Sequence, residues 1–180
     1  MKHFLKFSLA SVLLLGSNLA TAHVVLAEPA ALAGTSYRAT FRVGHGCDGS
    51  PTTAIKVYLP AGFRGTKPMP RVGWTLSTRI EKLATPYTSH GKTIVEDVTE
   101  VAWTASNKDS WLPDAWYDEF VLRGSLPPKA GALWFRVLQT CEKGVLDWAQ
   151  IPTSGSSTKG LKSPAALLET IESGPVGHQH

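Results

Sequence analysis

His23 carries the sharpest chemical signal in this 180-residue chain. It follows Ala20-Thr21-Ala22, a small-x-small cleavage site. Lys2 and Lys6 form a basic start, and an apolar run follows from Phe7 to Leu15. Those features in that order read as a secretory signal peptide over residues 1–22, too short and wrongly flanked for a permanent membrane span. Cutting after Ala22 would leave His23 with a free α-amine. The amine and Nδ1 of one histidine can close a single chelate ring on a metal ion. Amine and imidazole nitrogens suit Cu(II) best among the common divalent metals. The α-amine titrates at about pH 8, so it yields its proton readily at neutral pH. The competing reading is that signal peptidase merely tolerates a histidine after the cut.

Few other residues have the type and spacing for chemistry. There is no GxSxG, no HExxH and no phosphate-cradling loop, and no spacing singles out a catalytic triad. His45 lies in His45-Gly46-Cys47-Asp48, a turn between two expected strands. His90 lies in Ser89-His90-Gly91-Lys92, which reads as a hairpin tip. Each alone reads as a surface loop residue. His178-Gln179-His180 at the C-terminus could bind copper or zinc weakly, or be a solvated end without a role. Cys47 and Cys141 are the only cysteines. An even number in an oxidising compartment reads as a disulfide, worth roughly 4 kcal/mol in the loop-entropy treatment for so long a loop. A bis-thiolate Cu(I) or Zn(II) site is the alternative, weakened by the lack of a CxxC pair.

Composition narrows the classes. Removing 22 of the 180 residues leaves 158, enough for one domain with a real core. Loss of Lys2 and Lys6 lowers the net charge from +4 to +2. That balance is too weak, and the basic residues too scattered, to argue for nucleic acid. No second apolar stretch is long enough to span a bilayer, and no lipobox-type cysteine stands at the cleavage point. The mature protein is expected to be exported and soluble in the periplasm.

The elements that must position His23 read as β. Short apolar or alternating runs fall at 23–27, 37–43, 53–59, 74–80, 93–95, 99–105, 119–122, 132–139 and 145–151, with turn signals between nearly every pair. No amphipathic helix of useful length interrupts them. Regularly spaced short strands imply an all-β antiparallel sandwich. Trp74, Trp103, Trp134 and Trp148 fall in strands, where core packing is the default use. Trp111 and Trp116 fall in a loop, where they either cover a sandwich edge or meet a glycan or protein. The expected division is a signal peptide over 1–22, a sandwich over 23–152, and a linker and flexible tail over 153–180. Within the tail, Pro164 to Glu172 has room for two turns of helix, with Pro164 near its start.

Several fragments carry a resemblance when taken in order. His23-Val24, Leu26 and Pro29 give H-V-x-L-x-x-P. Gly34-Thr35-Ser36-Tyr37 follows, then the run from Val43 through His45-Gly46-Cys47-Asp48-Gly49-Ser50-Pro51 to Thr53. Lys67-Pro68-Met69-Pro70 leads to Gly73-Trp74. Tyr117-Asp118-Glu119-Phe120, Gln139-Thr140-Cys141-Glu142-Lys143-Gly144 and Trp148 complete the set. From His23 to about Ile151 the chain resembles the YcnI-like copper-binding domain family in its proteobacterial form, which also has the cysteine pair. The resemblance implies an immunoglobulin/fibronectin-like antiparallel β-sandwich. It also implies one Cu(II) per chain, held by a single-histidine brace from the α-amine and Nδ1 of His23. An acidic side chain completes the site in some members of that family, and a tryptophan lies close to the metal. Trp148 is the best match for the tryptophan. Glu119, Asp48 and Glu28 are the candidates for the acid.

Three functions follow as expectations. The first is a periplasmic copper-binding protein that buffers Cu(II) or hands it to a membrane copper transporter or a periplasmic copper chaperone. The second is a copper-dependent oxidative enzyme of the lytic polysaccharide monooxygenase type. That needs a second histidine, for which His45 and His90 are the candidates. The third is a metal-free secreted binding module presenting Trp111 and Trp116, with His23 incidental.

Overall fold

Two-residue alternation is converted almost everywhere into strand. In the computed structural model, which describes residues 23–172, eleven strands run in chain order. They are β1 (Val25–Leu26), β2 (Ala30–Leu32), β3 (Ser36–Val43), β4 (Thr52–Tyr58), β5 (Arg64–Pro68) and β6 (Trp74–Ser89). β7 (Lys92–Ala105), β8 (Asp118–Ser125), β9 (Gly131–Cys141), β10 (Val145–Trp148) and β11 (Ala166–Ile171) complete the set. The only helical element among the described residues is one 3₁₀ turn, Lys108–Ser110. No described helix is long and apolar enough to cross a membrane. The expected leader over 1–22 and the His178 and His180 tail lie outside the described residues.

One sheet runs β1-β3-β8-β5, the other β2-β11-β9-β4-β7-β6, with β10 also paired to β9. Their inner faces meet in a core built from the inward half of each alternating strand. β3 contributes Tyr37, Ala39, Phe41 and Val43, and β9 contributes Leu133, Phe135 and Val137, all buried. Phe41 and Phe135 meet edge to face across the sheets at 5.5 Å, the arrangement their ring quadrupoles favour. Trp103 is fully buried, and its indole N–H donates to the Met69 carbonyl at 2.9 Å. Trp74 and Trp148 are also buried, whereas Trp116 is exposed.

The hairpin expected at His90 is present. Ser89 pairs with Lys92 across a two-residue turn. His90 and Gly91 both have positive φ, 48° and 75°, the backbone of a type I′ turn whose twist matches its strands. The runs at 93–95 and 99–105 are one continuous strand, β7.

The tail requires a correction. Instead of two helical turns between Pro164 and Glu172, Ala166–Ile171 forms β11 and carries the sandwich past residue 152. Its buried residues alternate, Ala166, Leu168 and Thr170. The open edge of β9 supplies backbone partners that a lone short helix would lack, so tertiary pairing overrides helix propensity. β11 also pairs with β2 in parallel, the one departure from an otherwise antiparallel arrangement of named strands.

β10 and β11 share one edge of β9. Val145–Trp148 pairs with 137–140, and Ala166–Thr170 with 131–135. Between them the chain leaves the sheet over 151–162 and is clasped where it returns. Ala149 and Gln150 donate to the Ser163 carbonyl, and Ala165 donates back to that of Gln150. The gap between β10 and β11 is where His23 lies.

Candidate metal centre

His23 enters the fold one step before β1. Val24 and Leu26 are buried and Val25 is exposed, as alternation requires. β1 pairs with β3 through Val25↔Arg42 and Leu26↔Phe41. Carried two residues back, that register sets His23 opposite Gly44, one residue from His45. The His23 ring stands edge-on to the indole of Trp148, centroids 5.5 Å apart and planes at 69°. A cleft of about 180 Å³ opens beside it, lined by Val24, Leu26, Pro29, Thr158 and Pro164 among others.

A structural histidine ordinarily spends its ring nitrogens on hydrogen bonds. His23 does not. Its Nε2 is buried without a partner, and its Nδ1 bonds no described residue. A ring held this way, on the residue whose α-amine cleavage would free, has the donor set of an amine–imidazole chelate.

Trp148 is both core and wall. It is 5% exposed, and its indole N–H donates to Gln139 Oε1 at 3.1 Å. Gln139 is 1% exposed and satisfies every one of its strong groups. Its Nε2 donates to the His45 carbonyl at 2.7 Å and to Thr52 Oγ1 at 2.8 Å. An indole N–H can only donate, so the amide oxygen must face Trp148. Sequence reading missed this residue's role. The signal was there: the inward row Leu133, Phe135, Val137, Gln139, Cys141 contains one amide among apolar side chains.

The second ring against Trp148 is His45, at 6.3 Å and 79°. Its loop is held at several points. Gly46 N–H donates to Asp114 Oδ1 at 2.8 Å. Cys47 and Ser50 exchange two backbone hydrogen bonds, at 3.0 and 2.9 Å. A Cβ on Gly46 would lie 1.9 Å from the Ser50 carbonyl oxygen, so only glycine lets the chain pass there. Cys47 is bridged to Cys141 with Cα atoms 6.0 Å apart, well within disulfide reach. The expected disulfide is therefore formed and a bis-thiolate metal site is excluded. Asp114, in the loop noted for its tryptophans, is the other anchor that sequence reading did not single out.

The three acidic candidates are dispersed. Glu119 in β8 is bound by the Tyr117 hydroxyl and, at 3.3 Å, by Arg42 Nε. The Tyr117 hydrogen bond, then Arg42, hold its carboxyl below the usual range. Asp48 sits with φ 48° at the tip of the 47–50 turn and is exposed. Glu28 is exposed, and its main-chain carbonyl accepts from the Tyr37 hydroxyl. No three His, Cys, Asp or Glu side chains converge as a metal site among the described residues. His90 lies at the tip of the β6–β7 hairpin, in the turn that joins Ser89 to Lys92.

Comparison with known proteins agrees on the frame. The profile of a family described as "Domain of unknown function (DUF1775)" matches residues 23–170, beginning at the candidate histidine. An uncharacterized protein from Nocardia farcinica, whose crystal structure shows an immunoglobulin-like fold, is 26% identical with a TM-score of 0.63. The alignment covers 82% of this chain and 97% of that one. The expected immunoglobulin-like all-β sandwich is the fold observed. The seventh ScaB type I cohesin of Pseudobacteroides cellulosolvens aligns at 8% identity and a TM-score of 0.42, over 88% of this chain and 97% of its own. No curated protein matches.

Proposed function

The chain belongs to the DUF1775 family, and from that premise we propose that its processed form is a periplasmic Cu(II)-binding protein of the YcnI-like kind. The observation that carries the proposal is His23: its ring is set against Trp148 with no hydrogen-bond partner on either nitrogen among the described residues. The α-amine and Nδ1 would hold one Cu(II) in a chelate ring. Trp148 would wall one side and keep bulk water from that face. The cargo is copper, and the role is buffering or delivery to a membrane copper transporter or a periplasmic copper chaperone. Delivery suits a donor set that leaves coordination positions open, because ligand exchange needs them.

Cleavage after Ala22 is essential to this reading, since an amide-linked His23 lacks the amine donor. The test is competition against a calibrated chelator with three proteins: one beginning at His23, one with an alanine added before it, and His23→Ala. The first should bind one equivalent of Cu(II). The other two should lose affinity by orders of magnitude. Equal binding by the extended protein would overturn the brace.

A further inference from the structure

Arg38 and Arg123 stand opposite each other across β3 and β8, and neither forms an ion pair among the described residues. Every other arginine of the chain is held. Arg42, Arg71, Arg79 and Arg136 pair with carboxylates, and Arg64 lies over the Tyr87 ring. Lys67 stands on the other side of Arg123, in register on β5, and is also without an ion pair among the described residues. All three cations are exposed. Adjacent strands lie about 4.8 Å apart, so the three occupy a row of roughly 10 Å. Like charges directly opposite one another weaken a sheet. The acid on the same face of β8, Glu119, is bound by Tyr117 and Arg42, and Arg38 adds only the last and smallest pull on it.

The row borders a groove of about 490 Å³, lined also by Met69 and Val121 and by Pro68 and Pro70. That volume lies in the range of ligand clefts, roughly 300–1,000 Å³. Val121 is buried at its floor and Met69 is exposed at its wall. The two prolines stiffen the backbone of one rim. Arginine forks accept carboxylates in bidentate pairs, and the apolar lining suits a side chain carried beside them. A concave site does not lie flush on a bilayer, and a bare inorganic anion leaves its apolar half unused. We propose that this groove docks a short acidic segment of a partner protein. Its carboxylates would meet Arg38, Arg123 and Lys67, and an apolar side chain would lie against Met69 and Val121. Arg38 is near the start of β3 and His23 is set beyond its end, so this surface stands whether or not copper binds.

The test is a titration of metal-free processed protein with a capped peptide of four glutamates around one leucine, followed by amide chemical shifts. Shifts are expected in β3, β5 and β8 around the row, at 1:1 stoichiometry, with binding that weakens as salt is raised. Arg38→Gln and Arg123→Gln should each weaken binding about tenfold, because each removes a charge-assisted contact. Both side chains are exposed, so the variants should keep the wild-type spectrum away from the row. No binding by the wild type overturns the proposal, as does binding that both substitutions leave unchanged. Equal binding of a peptide with serine in place of leucine would show a charge sink without a groove, and overturns it too. So does a protein that ignores the peptide but shifts the same amides with phosphatidylglycerol vesicles or with inorganic phosphate, since the occupant is then a membrane or a free anion.

Discussion

The indole N–H of Trp148 donates to Oε1 of Gln139 at 3.1 Å, so the wall of the candidate site is bonded into the core. Site and core are therefore not separable at this position. Trp148→Phe should show both roles at once. The smaller ring still fills most of the space, but it leaves a buried acceptor on Gln139, at a cost of about 1–3 kcal/mol. Denaturant melts should show that loss. Cu(II) should quench part of the wild-type tryptophan fluorescence at one equivalent, and the folded variant should lose most of the quenching. Equal quenching in the variant would place the metal away from Trp148.

The parts of the fold and site that were legible in the sequence are those with local patterns. Tyr37–Val43 alternates and becomes β3, and His90-Gly91 marks a turn and makes one. His23 stands beside a cleavage signal, and Trp148 follows a recognisable turn. What was not legible depends on partners distant in the chain. Ala30–Leu32 and Arg64–Pro68 are short strands whose existence rests on β11 and β8. Ala166–Ile171 has helix-forming residues and becomes a strand because β9 offers an edge. His45 read as a loop residue, and its place beside Trp148 depends on Gln139, the disulfide and Asp114 acting together. No local period encodes that convergence.

Tyr37 should set an alkaline limit on stability. Its hydroxyl is pushed up to about 12, first by burial and then by the negative charge of Glu28. In the unfolded chain a tyrosine titrates at about 10. A folded pKa above the unfolded value gives stability that is fully present below about pH 10 and is lost as pH rises toward 12. Chemical denaturation at a series of pH values should show this decline in the wild type and a shallower one in Tyr37→Phe. Identical slopes would mean that another group governs alkaline unfolding.

Glu119→Gln should leave copper affinity within about twofold if the carboxylate serves only Arg42 and Tyr117. Those contacts are exposed, so the stability change should also be small, below about 1 kcal/mol. Chelator competition on the processed variant measures the first, and a thermal melt the second. A large fall in affinity with an unchanged melt would return Glu119 to the ligand set.

The Cys47–Cys141 bridge should couple redox state to metal affinity. It spans a sequence separation of 94 and ties the turn after His45 to the end of β9. Alkylation of unreduced protein followed by mass spectrometry should find no free thiol. Paired Cys47→Ser and Cys141→Ser substitutions should cost about 4 kcal/mol, because the unfolded chain regains the freedom of a long loop. They should also weaken copper binding, since the 47–50 turn keeps its two backbone bonds but loses its covalent tie to β9. The comparison must be made at a temperature where the serine variant remains folded, monitored by near-ultraviolet circular dichroism. Under that condition, lower affinity with native-like dichroism means that the bridge holds the His45 loop, and with it Trp148, in place beside His23. Unchanged affinity would mean that Gln139 and Asp114 hold the loop without it.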